Sequence, residues 1–321
     1  MAMKEYTYSV ARVRAREASL LTRPDIDQLL GADGYESALR LIRDRGYRSR
    51  DNADVEEIAA AARGELWDFM VELAGEDAVR ILRLPVDYHN IKASVKAVFT
   101  GTDGRDLLLD GGTVDGNLIY DCVKRREYGE LDARLAAVCE EATSLLRATQ
   151  DGQVCDICID KAMLAAIDAA AEKSGDAFLR GYANLQIDTA NLKTAYRCAL
   201  TERAMPFIEN AVYSGGTLDV PALVAAATSG LDALYDAAAA VPYGGCAEAM
   251  RAGAAAFEKW CGDEIMRFMD SARWDSFTAA PIIAYYYAKT AEINAVRLIL
   301  LGKRSQLDEK LIRERVPRTY V

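Results

Sequence analysis

The stretch Val86-Asp87-Tyr88-His89-Asn90-Ile91-Lys92-Ala93 returns further along the chain as Ile187-Asp188-Thr189-Ala190-Asn191-Leu192-Lys193-Thr194 and, more loosely, through Glu292-Ile293-Asn294-Ala295. Its apolar anchors Ile91, Leu192 and Ile293 stand 101 residues apart. Insertions and deletions erode such regularity, so an even period near a third of the 321 residues predicts one unit used three times. Around each anchor the apolar side chains fall three and four apart: Ile91, Val95, Val98 and Phe99; Leu192, Tyr196, Ala199 and Leu200; Ile293, Val296, Leu300 and Leu301. That spacing predicts a helix burying one stripe.

The flanks carry the repeat more loosely. Leu21-Thr22-Arg23-Pro24-Asp25, Gly112-Thr113-Val114-Asp115 and Gly216-Thr217-Leu218-Asp219 each place a small hydroxyl residue before acidic residues or proline. The exposed amides of a helix N-terminus favour that composition, so each segment is expected to open a helix. Gly101 and Gly302 are expected to cap the first and third anchor helices in the left-handed conformation, whereas Leu200-Thr201-Glu202 must end the second differently. Residues 29–42 suggest a helical hairpin broken at Gly31 to Gly34, and Leu131 to Leu146 reads as one long helix. No segment alternates as a strand would, and no long Ser/Pro-rich linker divides the chain. The expectation is an all-α protein of three similar helical units, at residues 1–105, 106–206 and 207–321, packed as one body around a pseudo-threefold axis.

With 51% hydrophobic and 27% charged residues the composition is that of a globular chain. The net charge of −10 argues against a nucleic-acid protein, whose usual footprint is basic. Basic residues do gather at both ends: Arg12, Arg14, Arg16, Arg40, Arg43, Arg45, Arg48 and Arg50, then Lys303, Arg304, Lys310, Arg313, Arg315 and Arg318. They read either as solvated helix faces or as contacts to an acidic partner or a membrane-proximal surface. The N-terminus lacks an apolar signal region, and the longest apolar run, Ala279 to Ala288, is well short of the roughly 20 residues of a transmembrane helix. Seven cysteines at irregular spacing read as reduced thiols of a cytosolic protein.

Catalytic chemistry is sparse. His89 is the only histidine, which excludes a multi-histidine metal site, and Ala190 and Ala291 stand at the corresponding places of the repeat. Cys155-Asp156-Ile157-Cys158 is the one redox or zinc-like motif; it lacks a second ligand pair for zinc and a βαβ setting for redox work, so buried or incidental thiols remain the plainer reading. There is no GxxxxGK[ST] or GxGxxG phosphate loop. Tyr285-Tyr286-Tyr287 occupies three faces of its helix, for core packing or for contact with a partner. A helical, repeat-built chain without evident catalytic residues is most economically a connector.

Tyr6, Tyr8, Ala11-Arg12-Val13-Arg14, Glu17, Leu20-Leu21-Thr22, Asp87 to Lys92, Ala288 to Lys303, Leu311 to Arg315 and the terminal Tyr320-Val321 resemble the C subunit of the archaeal and bacterial V-type (A-type) ATPases, whose eukaryotic counterpart is the d subunit. The resemblance runs over essentially the whole length and is strongest at the ends and the first anchor. It implies a funnel-shaped, all-helical protein that takes no cofactor and has no catalytic site. It also implies a peripheral position on the cytoplasmic face, bound to the proteolipid ring and receiving the tip of the D/F-type central rotor shaft. The implied role is to pass torque during ATP-linked transport of protons or sodium. Lys96, Arg197 and Arg297, 101 and 100 residues apart, are the candidate shaft contacts, as three cations facing the negative C-terminal ends of shaft helices; the alternative reading is that all three are solvated or pair with nearby acids. The alternatives are a helical scaffold of an unrelated assembly, or a redox or zinc protein using Cys155 and Cys158.

Overall fold

The computed structural model describes residues 6–48, 54–275 and 277–316, and among them every regular element is a helix. In chain order these are α1 (Thr7–Glu17), α2 (Arg23–Leu30), α3 (Gly34–Asp44), α4 (Val55–Ala74), α5 (Glu76–Thr100), α6 (Gly116–Arg125), α7 (Ala133–Thr149), α8 (Gly152–Ser174) and α9 (Ala177–Leu200). They continue with α10 (Met205–Ala211), α11 (Val220–Ser229), α12 (Leu231–Ala239), α13 (Cys246–Arg251), α14 (Ala254–Asp270), α15 (Ala280–Arg304) and α16 (Glu309–Arg313). The helices containing the three anchors, α5, α9 and α15, are 25, 24 and 25 residues long.

Local chemistry starts them. Thr22 and Asp25 form a reciprocal capping box at α2, as do Asp54 and Glu57 at α4. In the other two start segments the cap is not the threonine expected from the sequence but the aspartate two residues on: Asp115 accepts the amide of Asn117, and Asp219 that of Ala222. Thr113 and Thr217 are engaged elsewhere.

All three anchor helices end alike. The amides of Thr102, Arg203 and Leu307 donate to the carbonyls of Ala97, Cys198 and Gly302 at 3.0, 3.0 and 2.9 Å, the six-to-one bond of a Schellman turn. The left-handed residues are Gly101, Glu202 and Gln306. The expectation for Gly302 is therefore corrected: it lies inside α15, where a Cβ would meet Ile312 Cδ1 and Cγ1 at 2.6 and 2.7 Å, so glycine serves close packing there.

The chain forms two compact units, residues Met1–Val79 with Cys261–Val321, and Arg80–Trp260. In the first, α15 packs on α4, α3, α1 and α2 around Val13, Leu30, Ile42, Ile58, Met70 and Ile282. In the second, α7, α8 and α9 stack in succession and α11 and α12 cover α9, and Leu84, Ile91, Ile119, Leu135, Ile159 and Leu192 are buried. Each such side chain contributes about 2 kcal/mol of burial. No described helix is long and apolar enough to cross a membrane.

Candidate functional site

Three acidic side chains on the anchor helices are almost fully enclosed: Asp87 and Asp188 at 0% exposure and Glu292 at 6%. A buried carboxylate is costly unless its oxygens are hydrogen-bonded. Asp87 Oδ1 accepts the amides of Thr113 and Val114 at 2.7 and 3.2 Å, and Oδ2 accepts the Thr113 hydroxyl at 2.5 Å. Asp188 repeats this with the amides of Thr217 and Leu218 at 2.8 and 3.3 Å and the Thr217 hydroxyl at 2.5 Å. The Tyr243 hydroxyl also donates to Asp188 Oδ2, at 2.6 Å. Glu292 accepts the amide of Leu21 at 2.5 Å through Oε2 and the Tyr47 hydroxyl at 2.8 Å through Oε1.

Val114, Leu218 and Leu21 each immediately precede the N-cap of a helix, so every anchor carboxylate grips the start of another helix. Gly112 and Gly216 let the backbone come this close, because a Cβ at either would collide with Asp87 Oδ1 or Asp188 Oδ1. Asn90 and Asn191 add a second clamp, each donating to and accepting from one residue's backbone, Leu109 and Tyr213 respectively, at 2.8–2.9 Å. Burial raises the Asp87 carboxyl above its ordinary range despite its hydrogen bonds, and raises the Tyr47 hydroxyl beside Glu292 far more.

These grips correct the register of the third repeat. Asp87, Asp188 and Glu292 are the matching residues, 101 and then 104 apart, and the helix ends follow the same spacing. Val296, rather than Ile293, therefore corresponds to Ile91 and Leu192.

The candidate contacts Lys96, Arg197 and Arg297 all carry ion pairs. Lys96 Nζ lies 2.7 Å from Asp156, Arg197 lies 2.8 Å from Glu258 and Arg297 lies 2.6 Å from Glu56. With the corrected register, Arg297 matches Lys92 and Lys193, which lie 2.7 Å from Asp160 and 2.7 Å from Glu258. Lys96 and Arg197 form the next layer, whose third member is the apolar Leu301. Burial alone would raise Glu258, but Lys193 and Arg197 outweigh it and hold the carboxyl below its ordinary range; Arg297 lowers Glu56 likewise. The partner acids were not legible in the sequence because they lie on other helices at irregular spacing.

The remaining candidates fall outside these clusters. His89 is exposed, its Nε2 3.0 Å from the Leu107 carbonyl oxygen. Cys155 and Cys158 sit one helical turn apart on α8, where burial pushes both thiols up to about 11, so neither is a thiolate at neutral pH. No cluster of three metal-ligating side chains occurs among the described residues. Tyr285 packs edge-on against Phe69, and Tyr286 lies tilted against Trp67 with ring centroids 5.0 Å apart. Of the basic ends, Arg12 pairs with Glu72 at 2.5 Å, Arg45 with Asp25 and Arg313 with Asp27; Arg50 and Arg318 lie outside the described residues.

Residues 9–315 match the family model described as ATP synthase (C/AC39) subunit. The C subunit of the V-type sodium ATPase of Enterococcus hirae is 22% identical over 324 aligned residues, covering 96% of this chain and 97% of that protein. The C subunit of the V-type ATP synthase of Thermus thermophilus is 26% identical over 204 residues, 60% of this chain and 63% of its own length. With one family model spanning nearly the whole chain, this protein belongs to the ATP synthase (C/AC39) subunit family.

Proposed function

We propose that this chain is a non-catalytic connector in the central stalk of a rotary V-type or A-type ATPase, joining the D/F-type shaft to the proteolipid ring and bound to the membrane through that ring. The observation that carries the reading is the family match over residues 9–315, in a chain whose anchor carboxylates are locked to the backbone at the starts of other helices. A torque-bearing part must resist shear between its elements. Hydrogen bonds to buried charged groups, worth about 1.5–3 kcal/mol each, resist it better than exposed ion pairs of under about 1 kcal/mol. We include in this reading three repeats, at about 1–105, 106–206 and 207–321, arranged around a pseudo-threefold axis, with Lys96, Arg197 and Arg297 toward the shaft. The test is binding: the purified chain should bind both the shaft subunits and the detergent-solubilised ring of its own complex. Binding to neither would refute the connector role.

A further inference from the structure

We propose that the groove among α5, α6 and α7 is a docking site for an acidic, partly apolar protein segment of another subunit, an inference that rests on membership of the rotary complex. The groove encloses about 380 Å³ and is lined by Val98, Phe99, Leu146, Arg126, Arg147 and Gln150, with no acidic residue among its lining. Phe99 is 39% exposed although it continues the apolar stripe of its helix. Arg126 and Arg147 are exposed, and no carboxylate among the described residues pairs with either, in a chain of net charge −10.

The backbone supplies an independent observation. Arg126 and Gln150, at φ 59° and 57°, are two of only four described non-glycine residues with positive φ, and both line this groove. Each caps a helix C-terminus where glycine would sit without strain. A cation near a helix C-terminus is favourable, but Lys124 and Arg125 already supply it in the last turn of α6. The left-handed turn closes α6, the Glu127 amide donating to the Cys122 carbonyl at 3.1 Å, but glycine would do this without strain, so the arginine side chain at the groove rim is not there for the helix. A segment that seats an apolar side chain on Phe99 and sets carboxylates against Arg126 and Arg147 satisfies both features of the groove.

The test uses the rotary complex lacking only this chain, with wild-type protein and variants added back. Arg126→Gly with Arg147→Gln should weaken rejoining about tenfold at low salt, with the difference shrinking at high salt. The thermal midpoint of the free chain should not fall, because glycine relieves the strain at 126. Phe99→Ser should weaken rejoining at every salt concentration. Unchanged affinity, or a loss matched by a fall in thermal midpoint, overturns the proposal. So does an effect of these variants confined to binding phosphatidylglycerol vesicles or to self-association of the chain. If the wild-type chain fails to rejoin at all, the connector reading falls, and this inference with it.

Discussion

The Glu292 carboxylate accepts the backbone amide of Leu21 at 2.5 Å across 271 residues of sequence, tying the last anchor helix to the first start segment. It thereby does for the start of α2 what Asp87 and Asp188 do for the starts of α6 and α11. Lys289 Nζ, 2.5 Å from the same carboxylate and 4.6 Å from the Tyr47 ring centroid, completes its surroundings.

Glu292→Ala should cost about 3 kcal/mol, since it leaves the Leu21 amide and Tyr47 hydroxyl without their buried acceptor. Glu292→Gln, which keeps one acceptor oxygen, should cost about half as much. Equilibrium unfolding in urea reads both, and equal small losses would mean that this grip is not a structural closure.

Acid should act with opposite sign at two carboxylates. Glu258 is held below its ordinary range by Lys193 and Arg197, so its stabilising contribution is present at neutral pH and lost as pH falls through its folded-state value. Asp87 is raised by burial, so its contribution is greatest in acid and is lost as pH rises through its folded-state value. Relative to wild type, Glu258→Gln should therefore be most destabilised near neutrality and converge in acid, whereas Asp87→Asn should improve as pH rises. Thermal midpoints across that range check both signs.

How much of this was legible in the sequence follows from what each signal can resolve. Apolar spacing gave the helices and the likeness of the three anchor segments. It could not fix the third register, because Ile293 and Val296 lie three apart on one stripe and either one satisfies the pattern. The buried carboxylate distinguishes the two registers, because Glu292 takes the amide just before a helix N-cap as Asp87 and Asp188 do. Helix ends misled for a related reason. Glycine is the usual left-handed cap, so Gly302 drew the assignment while Gln306 takes the conformation. Thr113 and Thr217 had the composition of caps, but a buried aspartate competes for the same hydroxyl.

Gly302→Ala should cost about 1–3 kcal/mol through overpacking against Ile312. In an Ile312→Ala background it should cost less, a coupling that a double-mutant cycle measures. Gly101→Ala, at φ 70° with nothing within 4 Å of its Cβ, should cost about 1 kcal/mol from backbone strain alone.

Neutralising Lys96, Arg197 and Arg297 together to glutamine should lower shaft affinity at low salt while shifting the thermal midpoint little, because exposed ion pairs contribute under about 1 kcal/mol each. Glutamine is preferred to glutamate, which would face Asp156, Glu258 and Glu56 as like charges. Unchanged affinity removes these residues from the interface without touching the connector role.

The most direct test of that role is coupling, read as ATP-driven ion transport by the complex reconstituted in vesicles with and without this chain. Without it, ATP hydrolysis by the head should persist while transport stops, and adding the purified chain should restore transport. Transport at the full rate in its absence would contradict the account.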